Sequence, residues 1–355
     1  MLSAIGHLLP PELKERIATL PESVLDQLEE VRIREGRPLE LVAGGRSGFL
    51  GRGGGWTELP PEAYRPDAAC CRKLLGQLTN HSLYAMEEEL RKGYITVAGG
   101  HRIGLAGRTV LEAGEVKAIR DIGAFNLRIA RETVGSAEPL AESLADAARR
   151  SLHSTLLIGP PRTGKTTLLR DLVRMASAGS WPGAGLAGWP GRRVAVVDER
   201  SEIAASVKGI PSFDVGPRTD VMDACPKAQG MMMMLRSMSP EIIAADEIGR
   251  PEDAAALREA AHAGVAVLAT AHASSLEEAR GRPILRELLD EGAFARVVAL
   301  SRDRAGFRMR THRMPAGGAA SEPRGPAVHA VPLLRGAPTA REPTAMADGG
   351  GRRGD

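Results

Sequence analysis

The spacing of apolar positions changes near residue 154, and the change divides the chain into two kinds of architecture. Before it, short helical and alternating segments follow one another. "PPELKERIATLPESVLDQLEEV" reads as two short helices with Pro at or near the first turn of each, where a missing N–H costs nothing. "VRIREGRPLELV" alternates like a strand pair around a glycine-containing turn. Glycines between Gly44 and Gly55 mark a loop, followed by helical "CCRKLLGQL" and "LYAMEEELRKG". "GYITVAGGHRIGLAGRTVLEAGEVKAIRDIGAFNLRIAR" is a run of short strands separated by Gly-rich turns, as in an antiparallel sheet. Residues 1–133 are thus expected to form a small α+β domain, with "AEPLAESLADAARRSL" in the 134–153 segment as a linker helix.

From Ser154 onward, continuous apolar runs alternate with helical patterns, the signature of a parallel sheet buried on both faces by crossover helices. The expected strands are "STLLI" (154–158), "RVAVV" (193–197), "EIIAA" (241–245), "VAVLATA" (265–271) and "RVVAL" (296–300). "FDVGPRTDVMDACPKAQG" reads as a polar loop. In the helix that follows, Met231, Met234, Leu235 and Met238 share one face and Met232 and Met233 widen it, which predicts a largely buried helix ended by Pro240. The fold class is therefore α/β: a parallel-rich domain over 154–313 behind a smaller α+β domain. Residues 314–355, rich in Pro, Gly and Ala and without periodicity, are expected to be a disordered tail.

Composition narrows the function classes. The 355 residues are 43% hydrophobic, enough for two folded domains. Lys and Arg number 47 against 44 Asp and Glu, a net charge of +3, and aromatics are only 3% of residues. Neither the small basic excess nor the few stacking platforms favours a nucleic-acid binder. Cys70, Cys71 and Cys225 are too few for a four-thiolate zinc site and suggest a reducing cytoplasm. The N-terminus does not read as a leader and no apolar stretch is long enough to span a bilayer, so membrane association is expected to be peripheral.

The strongest local signal is Gly159-Pro160-Pro161-Arg162-Thr163-Gly164-Lys165-Thr166, set between a strand and an amphipathic helix. Gly164 lets the backbone wrap a phosphate with successive N–H groups pointing inward, and the helix N-terminus adds partial positive charge. Lys165 is then expected to reach the β and γ phosphates, the Thr166 hydroxyl to ligate magnesium, and Thr167 to contact the α phosphate. The chemistry implied is binding of ATP with Mg2+.

Such a loop needs an acid at the end of another buried strand, and "EIIAADE" supplies Asp246, for the water shell of the magnesium, and Glu247, to polarise the attacking water. Asp198 and Glu199 end "RVAVVDE" in the same way and point to the same nucleotide edge, unless they cap the next segment. His272 follows "VAVLATA" and is expected near the γ-phosphate; His262 reads as a packing residue. Arg218 and Arg236 stand equally well as site or solvated residues.

Phosphate loop, acid-tipped strand, "LRSMSPEIIAADEIGR" and "AGVAVLATAH" occur in an order that resembles the RecA-like ATPases of type II and type IV secretion and pilus motors, over Ser154 to about Ala273. Their counterparts there are the Walker A loop, Asp box, Walker B strand and His box. A longer set, "VRIREGRPLEL", "YAMEEELRKGYITVAGGHRIGLAGR", "IRDIGAFNLRIARE", "VVDERSEIA" and "DVGPRTDVMDACPKAQGMMMMLRSMSPEIIAADEIGR", resembles the stage III sporulation AA family over Val31 to about Leu300. That resemblance implies a RecA-like P-loop ATPase forming a homo-oligomeric, hexameric ring on the mother-cell cytoplasmic side of the outer forespore membrane. Its partners would be the membrane proteins of the sporulation channel, which it energises. It also implies that N-terminal arginines complete the nucleotide site; Arg102 and Arg128 match by motif order, with Arg120 next.

This chain departs from the secretion pattern in three respects. "DEIG" stands where Gly-Glu-Ile-Arg is usual, and "DERSE" stands where Glu-Asp-Pro is usual. Glu199 is therefore the favoured match for the family's catalytic glutamate, with Asp198 as the alternative. The four-cysteine metal module is absent. A RecA-like ATPase acting on nucleic acid and a slow nucleotide-gated scaffold are the rival readings.

Overall fold

A computed structural model describes residues 5–79, 93–97, 99–112, 114–130, 132–303, 306–315 and 327–331. The expected helix "LYAMEEELRKG" and most of the expected tail lie outside these residues.

The N-terminal sheet contains β1 (Leu28–Arg34), β2 (Glu40–Ala43), β3 (Arg46–Leu50), β4 (Trp56–Thr57), β5 (Tyr94–Val97), β6 (His101–Glu112) and β7 (Glu115–Arg128), in the order β4-β3-β2-β1-β7-β6-β5. Every pairing is antiparallel. Alternation explains its sidedness: Leu28, Val31 and Ile33 of β1 are buried, while Glu30, Arg32 and Arg34 face the other way. The apolar face packs against α1 (Pro11–Ala18), α2 (Glu22–Leu25) and α3 (Ala68–Leu78) through Leu13, Ile17, Cys70, Cys71 and Leu74. Asp67 caps α3, its side chain accepting the Cys70 N–H. The polar face is turned toward the second domain, where Glu30, Arg102 and Arg128 share a cavity with Thr167 and Arg170.

The segment expected as a linker helix is helical only at α4 (Ala141–Leu144), preceded by a 3-10 turn at Glu138–Leu140. It then folds back as a small hairpin, β8 (Ala145–Asp146) against β9 (Ser151–Leu152). The Asp146 side chain accepts the N–H groups of Ala148 and Arg149, and Arg150 takes a left-handed φ of 49°. This local side-chain cap competes with helix propagation and wins, because the turn delivers Leu152 into the core beside Leu140 and Leu144.

The second sheet is ordered β12-β11-β13-β14-β10-β15-β16-β17. Its strands are β10 (Thr155–Ile158), β11 (Val194–Asp198), β12 (Thr219–Asp223), β13 (Ile242–Ala245), β14 (Ala266–Ala271), β15 (Arg296–Asp303), β16 (Gly306–Arg313) and β17 (Ala327–Val331). β10 to β15 are mutually parallel, and β16 and β17 add on antiparallel. The parallel strands read as unbroken apolar runs because helices cover both faces. On one side α5 (Lys165–Ala178) packs through Leu168, Leu169, Leu172 and Val173. On the other lie α6 (Lys227–Ser237), α7 (Pro251–His262), α8 (Leu276–Gly281) and α9 (Pro283–Asp290).

Three local expectations change. The presumed polar loop contains β12, an edge strand only half-buried, so its sequence lacks the apolar run that marks its neighbours. Within the presumed disordered tail, Ala327–Val331 pairs with β16, satisfying backbone groups of an otherwise open edge. The methionine helix α6 is buried only in part. Met231 and Met234 are in the core and Met232 and Leu235 pack against it, but Met233 is 53% and Met238 40% exposed, since one sheet face cannot cover a stripe that wide.

Candidate functional site

β10 runs straight into the glycine loop at Gly159. A side chain at Gly159 would meet Thr163 Oγ1 at 2.6 Å and the Leu300 carbonyl at 2.8 Å, so only glycine permits this tight closure. Arg162 and Gly164 take left-handed φ values of 63° and 84°, bending the loop into α5. Thr163 Oγ1 closes the turn by donating to the Pro160 carbonyl at 2.7 Å. Pro160, Pro161 and Arg162 form the outer rim; Thr163 and Lys165 are buried inside it.

Lys165 Nζ donates to the carbonyls of Gly159 at 2.8 Å and Pro160 at 2.9 Å, and lies 3.2 Å from His272 Nδ1. Burial pushes the Lys165 ammonium below its ordinary pKa, and the nearby Asp246 and Glu247 charges work against that shift. With the ammonium donating to Nδ1, His272 carries its hydrogen on Nε2, which faces Glu247 Oε1 at 3.0 Å. Glu247 Oε2 in turn accepts an ion pair from Arg200 Nη1 at 2.7 Å. Four charged or polar side chains from four segments are joined in one directional series.

Thr166, next on α5, donates its hydroxyl to Asp246 Oδ2 at 2.6 Å. Asp246 Oδ1 accepts from the Thr270 hydroxyl, which itself receives the Glu247 N–H at 2.9 Å. Glu247 is held by these bonds at a left-handed φ of 51°, an arrangement that costs about 1–3 kcal/mol for a non-glycine residue and turns its carboxylate toward His272. The adjacency of β13 and β14 brings these groups together, since Asp246, Glu247 and His272 all follow strand ends at the same edge of the sheet.

The second acid pair has a different environment. Asp198 is 1% exposed and accepts N–H groups from Glu202 (2.8 Å), Ile203 (2.9 Å) and Ala204 (2.8 Å). Burial raises its pKa to about 6 despite those donors. Glu199 is ion-paired to the buried Lys227 of α6, with Arg250 Nη1 at 3.9 Å. Burial works to raise the Glu199 carboxyl, but the Lys227 bond and the Lys227 and Arg250 charges outweigh it and leave it below the usual carboxylate range.

A cavity of about 480 Å³ lies beside the loop, between the polar face of the N-terminal sheet and α5. Arg102, Arg128, Arg162, Arg170, Arg302 and Thr167 line it, so Thr167 and the two N-terminal arginines do face one space. Arg102 packs over the Tyr94 ring at 4.3 Å, pairs with Glu202 at 2.8 Å and donates to the Arg200 carbonyl at 2.7 Å. Among the described residues, Arg128 has a loose contact, 3.8 Å, to Glu30. Arg120 lies exposed in β7 opposite Arg108, outside the residues lining this cavity. Arg218 is bound to Ser177 at the far end of α5, and Arg236 is exposed on α6. His262, expected to pack, is exposed at the last turn of α7, where it faces the helix C-terminus rather than a core.

Four participants escape the sequence reading. Thr270 had a signal, as the one hydroxyl inside "VAVLATA". Arg170 had a weaker one, a cation in the apolar "TLLRDLV"; it is buried, stacks on Phe213 at 4.0 Å and donates to the carbonyls of Ile203 (2.5 Å) and Glu202 (2.7 Å). Lys227 and Arg200 had none, because their partners lie on other strands.

This architecture is shared with a pilus motor and a bacterial ATPase of known structure. The pilus retraction motor PilT, solved with bound ADP, superimposes with a TM-score of 0.51 at 14% identity, covering 82% of this chain and 80% of that one. The Legionella pneumophila ATPase DotB superimposes with a TM-score of 0.50 at 16% identity, covering 82% and 78%. The fold is that of the secretion-type ATPases, an antiparallel sheet ahead of a mostly parallel one. Among curated relatives, the stage III sporulation protein AA of Bacillus subtilis (strain 168) is 47% identical over 301 residues, 85% of this chain and 91% of that protein. The family model "Sporulation stage III, protein AA" matches residues 5–312, and the chain belongs to that family.

Proposed function

We propose that the chain is a magnesium-dependent ATPase that energises assembly of, or transport through, the mother cell–forespore channel. The observation that carries the ATPase reading is the convergence of Lys165, Thr166, Asp246, Glu247 and His272 at one strand edge. In this reading the loop from Gly159 to Thr167 binds the phosphates, through N–H groups after Pro160 and Pro161, which have none, and Lys165 exchanges its two carbonyl partners for the β and γ oxygens. The donor set suits magnesium: a hydroxyl and a carboxylate 2.6 Å apart are hard oxygen ligands on one side only, leaving room for the waters and phosphate oxygens this ion keeps. The ion neutralises charge on the phosphates when bound. Asp246 holds its water shell, Glu247 accepts the proton of the attacking water, and His272 orients Glu247 while monitoring the γ-phosphate.

Arg102 and Arg128 supply positive charge from the N-terminal side of the cavity. Glu199, paired with Lys227, contributes by fixing the strand edge that carries it. The motor reading and a hexameric ring are supported by the fold likeness to PilT and DotB; the channel partners and the mother-cell location on the outer forespore membrane are supported by the family membership. Among the described residues no helix is long and apolar enough to cross a membrane, in keeping with a peripheral attachment.

The purified chain should hydrolyse ATP only with Mg2+, and Lys165→Ala should lower turnover at least about 1,000-fold. Turnover that survives Lys165→Ala overturns the reading. Mass measurement with and without ATP tests the ring, and co-purification with the channel's membrane proteins tests the partners.

A further inference from the structure

The short segment after β11 is anchored with unusual completeness along its backbone. Asp198 accepts the N–H groups of Glu202, Ile203 and Ala204. Arg170 donates to the carbonyls of Glu202 and Ile203 from α5, and Arg102 donates to the Arg200 carbonyl from the N-terminal sheet. The Ser201 hydroxyl is tied to Asp223 Oδ1 at 2.7 Å. Against this rigid frame the Arg200 side chain stands out: it is 58% exposed, and its ion pair is with Glu247 Oε2 at 2.7 Å. Glu247 Oε1 leads through His272 to the ammonium of Lys165.

An ion pair this exposed contributes about 0–1 kcal/mol, so it is easily exchanged. A fixed backbone carrying an exposed guanidinium is also well suited to bidentate recognition of an oxyanion such as a terminal phosphoryl group. We propose that Arg200 is a γ-phosphate-binding residue that exchanges its ion pair with Glu247 for the γ oxygens. Entry of a triphosphate draws the guanidinium from the carboxylate to the γ oxygens. The exchange frees Glu247 Oε2 to take the proton of water only when a γ-phosphate is present. It also ties the event to the N-terminal sheet, because Arg102 holds the Arg200 carbonyl. The inference rests on the ATPase reading above and adds a residue to it.

Binding of fluorescent ADP and of a fluorescent, slowly hydrolysed γ-thio analogue of ATP, each with Mg2+, separates the two. In the full-length Arg200→Ala protein, ADP affinity should stay within about twofold of the parent while affinity for the γ-thio analogue falls at least about tenfold and kcat falls about 100-fold. Arg200→Lys should recover part of the affinity for the analogue, and the thermal midpoint of both variants should match the parent. Equal weakening of the two nucleotides, weakening of neither, or a rise in kcat overturns the proposal. A parent protein that binds neither nucleotide overturns the ATPase reading itself, which is a different failure.

Discussion

The two acid pairs, Asp198-Glu199 and Asp246-Glu247, end neighbouring strands with almost the same local sequence, yet the fold uses them differently. Behind β13, Asp246 and Glu247 meet Thr166, Thr270 and His272. Behind β11, one strand further from the phosphate loop, Asp198 sinks into backbone N–H groups and Glu199 turns to Lys227. The difference is one of neighbours: β13 lies against β14, which carries a threonine and a histidine at its end, whereas β11 has the half-buried β12 on its other side. What the acids of an acid-tipped strand meet therefore depends on its place in the sheet. Asp198 accepts three N–H groups of the segment that begins at Arg200, and Arg200 pairs with Glu247, so the two acid pairs are linked through one short segment.

The largest effect that tests this contrast is on turnover. Glu247→Gln should keep nucleotide binding and reduce kcat by about 100- to 1,000-fold, because it removes the proton acceptor and leaves the loop intact. Single-turnover hydrolysis with separately measured nucleotide affinity checks it.

Next is stability. Asp198→Ala leaves three buried N–H groups without their acceptor and should lower unfolding free energy by about 2–4 kcal/mol, read by denaturant titration. The same group gives the contrast a pH signature. Its folded pKa, about 6, lies above the ordinary aspartate value of 3.8, so between those values the folded state holds a proton that the unfolded chain has released. Its contribution is full below the unfolded value and is lost as pH rises through about 6, a swing of about 3 kcal/mol at most. Asp198→Asn should remove that part of the stability–pH curve between those values.

The smallest effect belongs to Glu199→Gln, which should slow turnover by less than about fivefold and cost about 1–2 kcal/mol by leaving the Lys227 ammonium buried with a weaker partner. If it stops hydrolysis as completely as Glu247→Gln, the contrast collapses and Glu199 is the catalytic glutamate that the motif order favours.

Much of this was legible in the sequence wherever a feature is local. The glycine loop, with its strand before and helix after, needs only contiguous residues, and the five expected parallel strands are apolar runs whose burial on both faces is written into each segment. The linker helix failed because Asp146 and Arg150 set a turn whose advantage, burying Leu152, appears only once the sheet is present. The strand β12 was missed since an edge strand needs little apolar content, and the exposure of Met233 and Met238 reflects how much of a helix one sheet face can cover.

By itself, then, the sequence determined the glycine loop between strand and helix, the acid-tipped strands and the division into an antiparallel and a parallel sheet, because each is encoded in neighbours along the chain. Only the tertiary structure decided which acid meets Thr166 and His272, which one accepts the N–H groups of a loop, and that Arg102 and Arg170 converge on the segment from Arg200 to Ile203. Strand order and side-chain partnership join positions a hundred residues apart and more, as between Arg102 and Glu202 or Lys165 and His272, and no local pattern carries that information.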